Sequence, residues 1–211
     1  MGFTLPKVYP ILDVSVFPAV GREAFLDRLG RSLADAGLRL MEYRNKTGTD
    51  AEVVADARVL RAAMPLATLV MDDRVDVAMA ARFDGVHVDA GDLPPADARK
   101  LLGPAAMIGT SAGTEMQLAE AMASGVDYIA FGPVFPTTTK QTSASPIGVE
   151  GVGRFRALAG PEPVLVAAAG ITLTTASAIL EAGANAVAAS AAIFRAQDPA
   201  AEFKRWMETL G

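Results

Sequence analysis

Short apolar runs alternate with longer amphipathic stretches along the whole chain, and this alternation predicts strands and helices in turn. Strands are predicted at Val8–Val14, Leu38–Tyr43, Ala67–Met71, Gly85–Val88, Met107–Thr110, Tyr128–Gly132, Pro163–Ala169 and Ala186–Ala189. Between them, Leu26, Leu29 and Leu33 share one helical face, as do Ala176, Ile179, Leu180 and Gly183. Phe203, Trp206, Met207 and Leu210 repeat at the spacing of a final helix. Gly37, Gly125 and Gly183 stand just ahead of predicted strands, where helices end. Eight strands, each followed by a helix, in 211 residues predict an α/β chain folded as a single-domain (β/α)₈ TIM barrel over residues 1–211. A doubly wound sheet is the competitor that strand counting leaves open. Its dinucleotide-binding version is disfavoured, because no Gly-x-Gly-x-x-Gly follows the first strand.

Composition narrows the class. Hydrophobic residues make up 51% of the chain, and mean hydropathy is +0.30. No apolar run approaches the roughly 20 residues of a spanning helix, so the excess reads as core and no membrane partner is expected. No basic region followed by an apolar one opens the chain, so no secretory signal is read and the cytoplasm is the expected compartment. The absence of cysteine excludes disulfide and thiol chemistry. With 19 basic against 24 acidic residues and no basic run, no nucleic-acid partner is expected. A homo-oligomer is compatible with the chain, and its stoichiometry is left open.

In a barrel, functional groups gather at the C-terminal ends of strands and in the loops that follow. Those positions hold Glu42, Arg44, Asn45 and Lys46; Asp72, Asp73 and Arg74; Asp89 and Asp92; Ser111; Thr137 to Lys140; Gly170; and Ser190. From Tyr128 to Lys140 an apolar strand breaks at Gly-Pro and runs into Thr137, Thr138, Thr139 and Lys140, hydroxyls and an ammonium suited to phosphate oxygens. An ordinary Thr-rich loop is the alternative. Asp73 and Asp92 come from the ends of adjacent strands, roughly 5 Å apart. Such a pair suits Mg²⁺, which takes one or two carboxylates plus phosphates and water. The competing reading has each aspartate capping the helix after it. Arg44, Lys46 and Lys140 could converge on one polyanion, or each be a solvated surface charge. Gly170 and the Ser190-Ala191 turn suit a monophosphate held by backbone N–H groups after strands seven and eight. His87, the only histidine, reads as a packed strand residue, and Tyr128 and Trp206 read as core.

These residues together resemble the thiamine phosphate synthase family. The resemblance runs in order from Leu40 to Ile193. It rests on Asp73-Arg74-Val75-Asp76-Val77-Ala78, Asp84-Gly85-Val86-His87, Ile108-Gly109-Thr110-Ser111 and the segment Phe131 to Lys140. It implies a transferase of thiamine biosynthesis that joins a pyrimidine methyl diphosphate to a thiazole phosphate and releases pyrophosphate, with Mg²⁺ as cofactor and small phosphorylated molecules as substrates. Carried over residue by residue, Arg44, Ser111 and Lys140 are catalytic. Glu42, Arg44, Asn45, Lys46, Asp72, Ser111 and Lys140 bind the pyrimidine diphosphate, and Asp73 and Asp92 ligate the metal. Thr137, Thr138, Thr139, Gly170, Ser190 and Ala191 form the thiazole-phosphate pocket.

The chain departs from the family pattern at Glu42 for Gln, Asp72 for Asn, Gly113 for His, and Ala169 for the first of two glycines. The fourth-strand motif also reads Val-Asp89-Ala90-Gly91-Asp92 in place of the Gly-Gln form. Glu42 is expected to accept a hydrogen bond from the pyrimidine amino group, as a carboxylate accepts from cytosine N4. Two other readings stay open: a paralogue similar to the thiazole tautomerases, and a non-catalytic binder of thiamine-pathway phosphates.

Overall fold

The computed structural model describes residues 5–18, 20–137 and 144–211. All eight predicted strands form: β1 (Val8–Asp13), β2 (Leu40–Arg44), β3 (Thr68–Asp72), β4 (Gly85–Val88), β5 (Met107–Ala112), β6 (Tyr128–Phe131), β7 (Leu165–Ala167) and β8 (Ala186–Ala189). They pair in parallel in sequence order, and β8 closes on β1, which makes a barrel and excludes the open doubly wound sheet. The helices alternate with them: α1 (Arg22–Asp35), α2 (Asp50–Ala63), α3 (Val75–Ala81), α4 (Pro95–Leu102), α5 (Glu115–Ala123), α6 (Gly148–Ala159), α7 (Leu173–Glu181), α8 (Ala191–Phe194) and α9 (Pro199–Leu210).

Strand alternation divides the interior into two apolar regions. One side of each strand packs against the helices, in a core that includes Leu12, Tyr43, Met71, Ile108 and Trp206. The other side fills the barrel lumen with Tyr9, Leu40, Val70, Met107, Tyr128 and Val166. Gly109 pairs with Tyr128 across β5 and β6. A Cβ on Gly109 would overlap the Tyr128 ring, so glycine there is what lets the tyrosine cross the lumen.

The lower rim carries a clamp repeated every second βα unit. Arg61 on α2 reaches Asp84, whose Oδ2 accepts from Leu69 N at 2.8 Å. Arg99 on α4 reaches Asp127, whose Oδ2 accepts from Ile108 N at 2.7 Å. Arg156 on α6 reaches Asn185, whose Oδ1 accepts from Leu165 N at 2.8 Å. Each arginine also donates to backbone carbonyls of the turns between helix and strand. These clamps tie helices to strand starts at the end of the barrel remote from the polar mouth, where side chains serve stability.

Candidate active site

At the opposite rim, inward-pointing positions alternate along every strand and line one cavity of about 440 Å³. Tyr9 and Ile11 come from β1, Glu42 and Arg44 from β2, Asp72 from β3, and His87 from β4 with Asp89 just beyond it. Ser111, Tyr128 and Ala130 face them, and Val166, Ala168 and Ala188 keep the far wall apolar. Thr137, Gly170, Ser190 and Ala191 complete the wall, so these four residues of the expected thiazole-phosphate pocket share the cavity with Glu42, Arg44, Asp72 and Ser111 of the pyrimidine set. A second cavity of about 390 Å³ adjoins it through Asp89, Ser111 and Thr137 and extends to Gly113 and Gln117. Thr138, Thr139 and Lys140 lie outside the described residues.

The floor is a hydrogen-bonded chain. Tyr9 donates to Glu42 Oε2 at 2.9 Å and lies 2.7 Å, oxygen to oxygen, from Tyr128. His87 bonds through Nδ1 to the Tyr128 hydroxyl at 3.0 Å and through Nε2 to Ser111 Oγ at 2.9 Å. Its Nε2 is also 3.3 Å from Asp89 Oδ1. Burial is as expected for His87 and Tyr128, but neither is core alone: their polar atoms join Ser111 to Glu42 across the base of the cavity. A lone strand tyrosine or histidine carries no sequence signal for such a chain, and Tyr9 gave none. Asp13, also missed, could have been found, because it stands at the inward register near the end of a predicted strand.

Burial sets the acidities. Burial, reinforced by the Asp72 and Asp89 carboxylates, pushes Glu42 up to about 7, against the opposing pull of His87 and the Tyr9 bond. For His87, burial works against the charged ring, but Asp89 and Glu42 outweigh it and hold the imidazole above the ordinary histidine range. Asp72 is likewise raised, by burial above all, although Lys46 opposes the shift.

The cations are already paired. Arg44 ion-pairs with Asp13, its partner in the β1–β2 register, and its Nε lies 3.6 Å from Asp72. Lys46 lies 3.1 Å from Asp72 and bonds to Asp73 Oδ2. Arg44 and Lys46 are thus brought together and are not independent surface charges. Lys46, Asp73 and Asp92 do not line the cavity themselves, and Asn45 is turned away from it. Its amide bonds to Tyr43 and to the N–H groups of Thr47 and Gly48, and it does not line the cavity.

The helix-cap reading of the two aspartates does not survive. α3 starts after Arg74 and α4 after Pro94, each without a side-chain cap. Asp92 Oδ2 instead accepts from Asp89 N at 2.8 Å. Burial, then the neighbouring Asp73 carboxyl, raises Asp92. Asp73 has a positive φ of 61°, a conformation that costs a non-glycine residue energy and concentrates at functional sites. Its Oδ1 is buried and has no hydrogen-bond partner among the described residues. A buried acceptor without a donor, beside a second carboxyl, fits a hard divalent cation. The described residues hold no cluster of three or more metal-ligating side chains.

On the far side, Gly170 has φ 69°, and a Cβ there would lie 2.6 Å from Pro136 O, so only glycine fits. Ser190 Oγ is buried and unpartnered among the described residues.

A family model described as thiamine monophosphate synthase matches residues 8–193, nearly the whole barrel. The chain belongs to that family. A thiamine-phosphate synthase from Koribacter versatilis is 40% identical over 189 residues, which cover 89% of this chain and 88% of the relative. Another from Agrobacterium fabrum is 37% identical over 195 residues, covering 90% and 89%. The solved thiamine phosphate pyrophosphorylase from Pyrococcus furiosus superposes with a TM-score of 0.79 at 28% identity, covering 97% of each chain. As a member of the thiamine monophosphate synthase family, the chain is a transferase of thiamine biosynthesis. No helix among the described residues is long and apolar enough to cross a membrane.

Proposed function

We propose that the protein joins a pyrimidine methyl diphosphate to a thiazole phosphate in the cytoplasm, with Mg²⁺ as cofactor, yielding thiamine phosphate and pyrophosphate. The observation that carries this reading is the half-buried Asp73–Asp92 pair beside Lys46, with Arg44 reaching the adjacent Asp72. It offers carboxylates for a cation and cations for a diphosphate next to Arg44 and Asp72, which line the cavity. Bound Mg²⁺, held by Asp73 and Asp92, would supply positive charge to the diphosphate as its bond to the pyrimidine methylene breaks.

The chain's own groups do the rest. Arg44 and Lys46 exchange their present carboxylate partners for diphosphate oxygens and, together with Lys140, stabilise the leaving group. Ser111, fixed by His87, faces the reacting centre. Glu42 accepts from the pyrimidine amino group. Its Oε2 is held by Tyr9, and Oε1 has no hydrogen bond among the described residues. Gly170, Ser190 and Ala191, with Thr137, Thr138 and Thr139, hold the thiazole phosphate so that its ring nitrogen meets the pyrimidine methylene cation. The C–O bond to diphosphate breaks, the C–N bond forms, and no covalent link to the protein is needed. Catalysis is therefore leaving-group stabilisation and alignment.

The test is pyrophosphate release by the purified protein with both substrates, in Mg²⁺ or in EDTA, alongside Asp92→Asn. Release that requires Mg²⁺ and the thiazole phosphate, and drops sharply in the variant, is expected. No release at saturating substrate refutes the reading. Isomerisation of a thiazole carboxylate phosphate would then point to the tautomerase-like paralogue, and tight binding without turnover to a binder.

A further inference from the structure

Behind the cationic strand end lies a second polar cluster that the reaction does not touch. Alternation along β2 turns Glu42 and Arg44 inward and Tyr43 outward, against α1 and α2. There Tyr43 donates its only hydroxyl proton to Asp56, a buried carboxylate on α2, and accepts from Asn45 Nδ2 at 3.0 Å. Asn45 Oδ1 in turn accepts from Thr47 N at 3.2 Å and Gly48 N at 2.8 Å. Lys46 is therefore the residue enclosed by this bracket.

The bracket is anchored on both sides. Arg22, the first residue of α1, grips Asp56 with two nitrogens, Nε at 2.9 Å. Its guanidinium lies 4.8 Å over the Phe17 ring, which stacks on Tyr43 with centroids 6.2 Å apart and planes within 4°. A Cβ on Gly48 would lie 2.6 Å from Asn45 Nδ2, so the turn closes this tightly only with glycine. Beyond it, Thr49 and Glu52 form the capping box that starts α2. The whole β2–α2 turn is thus fixed by groups that do not line the cavity.

We propose that Tyr43 and Asn45 are positioning residues, which hold the β2–α2 turn so that the Lys46 ammonium is preorganised for the diphosphate; this rests on Lys46 being a diphosphate ligand. A Lys side chain loses much rotamer freedom when it binds, and a turn already ordered limits that loss to the side chain itself. Without the bracket, the turn must be ordered by the substrate, and the loss falls on diphosphate affinity. Thiazole phosphate, held by the opposite wall, is unaffected.

The experiment compares Tyr43→Phe, Asn45→Ala, Lys46→Met and the double variant Tyr43→Phe/Lys46→Met by steady-state kinetics, with KM for each substrate, kcat and Tm. Tyr43→Phe keeps the ring stacked on Phe17, so it carries the test if Asn45→Ala folds poorly. Each of the two bracket variants is expected to raise KM for the pyrimidine diphosphate about 3–10-fold, one hydrogen bond's worth. KM for thiazole phosphate should stay within about 2-fold. In the Lys46→Met background, Tyr43→Phe should add less than about 2-fold, because its effect passes through the missing ammonium. Bracket variants with lowered Tm but unchanged KM, or effects that multiply fully in the double variant, overturn the proposal. If Lys46→Met itself leaves KM for the diphosphate unchanged, the diphosphate-ligand reading of Lys46 fails instead.

Discussion

Glu42 stands where the family pattern has glutamine, and restoring the amide isolates the effect of one buried proton. Burial raises the pKa of Glu42 in the folded protein to about 7, from about 4.5 for an ordinary glutamate. The folded protein therefore binds that proton more tightly than the unfolded chain does. The stability this confers is fully present below about pH 4.5 and is lost as pH rises through about 7. At roughly 1.4 kcal/mol per pKa unit, the contribution that disappears between pH 5 and pH 8 is roughly 2–3 kcal/mol. Glu42→Gln preserves an acceptor for Tyr9 and does not titrate. His87, held up partly by Glu42, should lose some of its own upward shift in the variant, and that change carries the same sign. Urea or thermal melts of both proteins at pH 5 and pH 8 provide the assay. The wild type should fall relative to the variant by roughly 5–10 °C in Tm over that range, at roughly 2–4 °C per kcal/mol for a chain of this size. Stability curves that run parallel from pH 5 to pH 8 would refute a proton held by burial at Glu42.

Other outcomes follow from the same coordinates. At pH 8, Glu42→Gln should raise KM for the pyrimidine diphosphate a few-fold, since a neutral amide accepts more weakly than a carboxylate; an unchanged or lower KM removes Glu42 from amino-group recognition. Ala169 holds φ 75° without being glycine, so Ala169→Gly should stabilise by about 0.5–1 kcal/mol in urea titrations. Asp127→Ala leaves Ile108 N–H without its acceptor and Arg99 with only its backbone carbonyl partners, and should cost about 1–3 kcal/mol while kcat/KM of the folded enzyme holds, because the clamp is at the other rim. Gly109→Ala drives a methyl into the Tyr128 ring and should destabilise by about 1–3 kcal/mol or more; Tyr128→Leu in the same chain should recover part of the lost Tm, whereas Tyr128→Phe should not.

The sequence by itself determined the architecture, because the period of its apolar residues is local information. Strand and helix alternation was legible from Val8 to Leu210, and with it the rim on which chemistry must lie. Strand ends differ from expectation by a few residues where hydrophobicity outlasts hydrogen bonding: Pro163–Ala169 is apolar, but only Leu165–Ala167 is strand. The residues at the rim were legible too, since a charge directly after a buried strand is conspicuous.

Only the tertiary structure decided what those residues do to each other. It took Asn45 into a turn, placed Asp73 and Asp92 beside each other and away from helix caps, and paired Arg44 with an unforeseen Asp13. It also joined Tyr9, Tyr128 and His87, three residues that read as core or went unremarked, into one chain from Glu42 to Ser111. The reason is range. Periodicity is written between neighbours a few residues apart, whereas Tyr9 meets Tyr128 across 119 positions. Barrel closure creates that contact, and burial at the same point raises the pKa of Glu42 by an amount that no short stretch of sequence encodes.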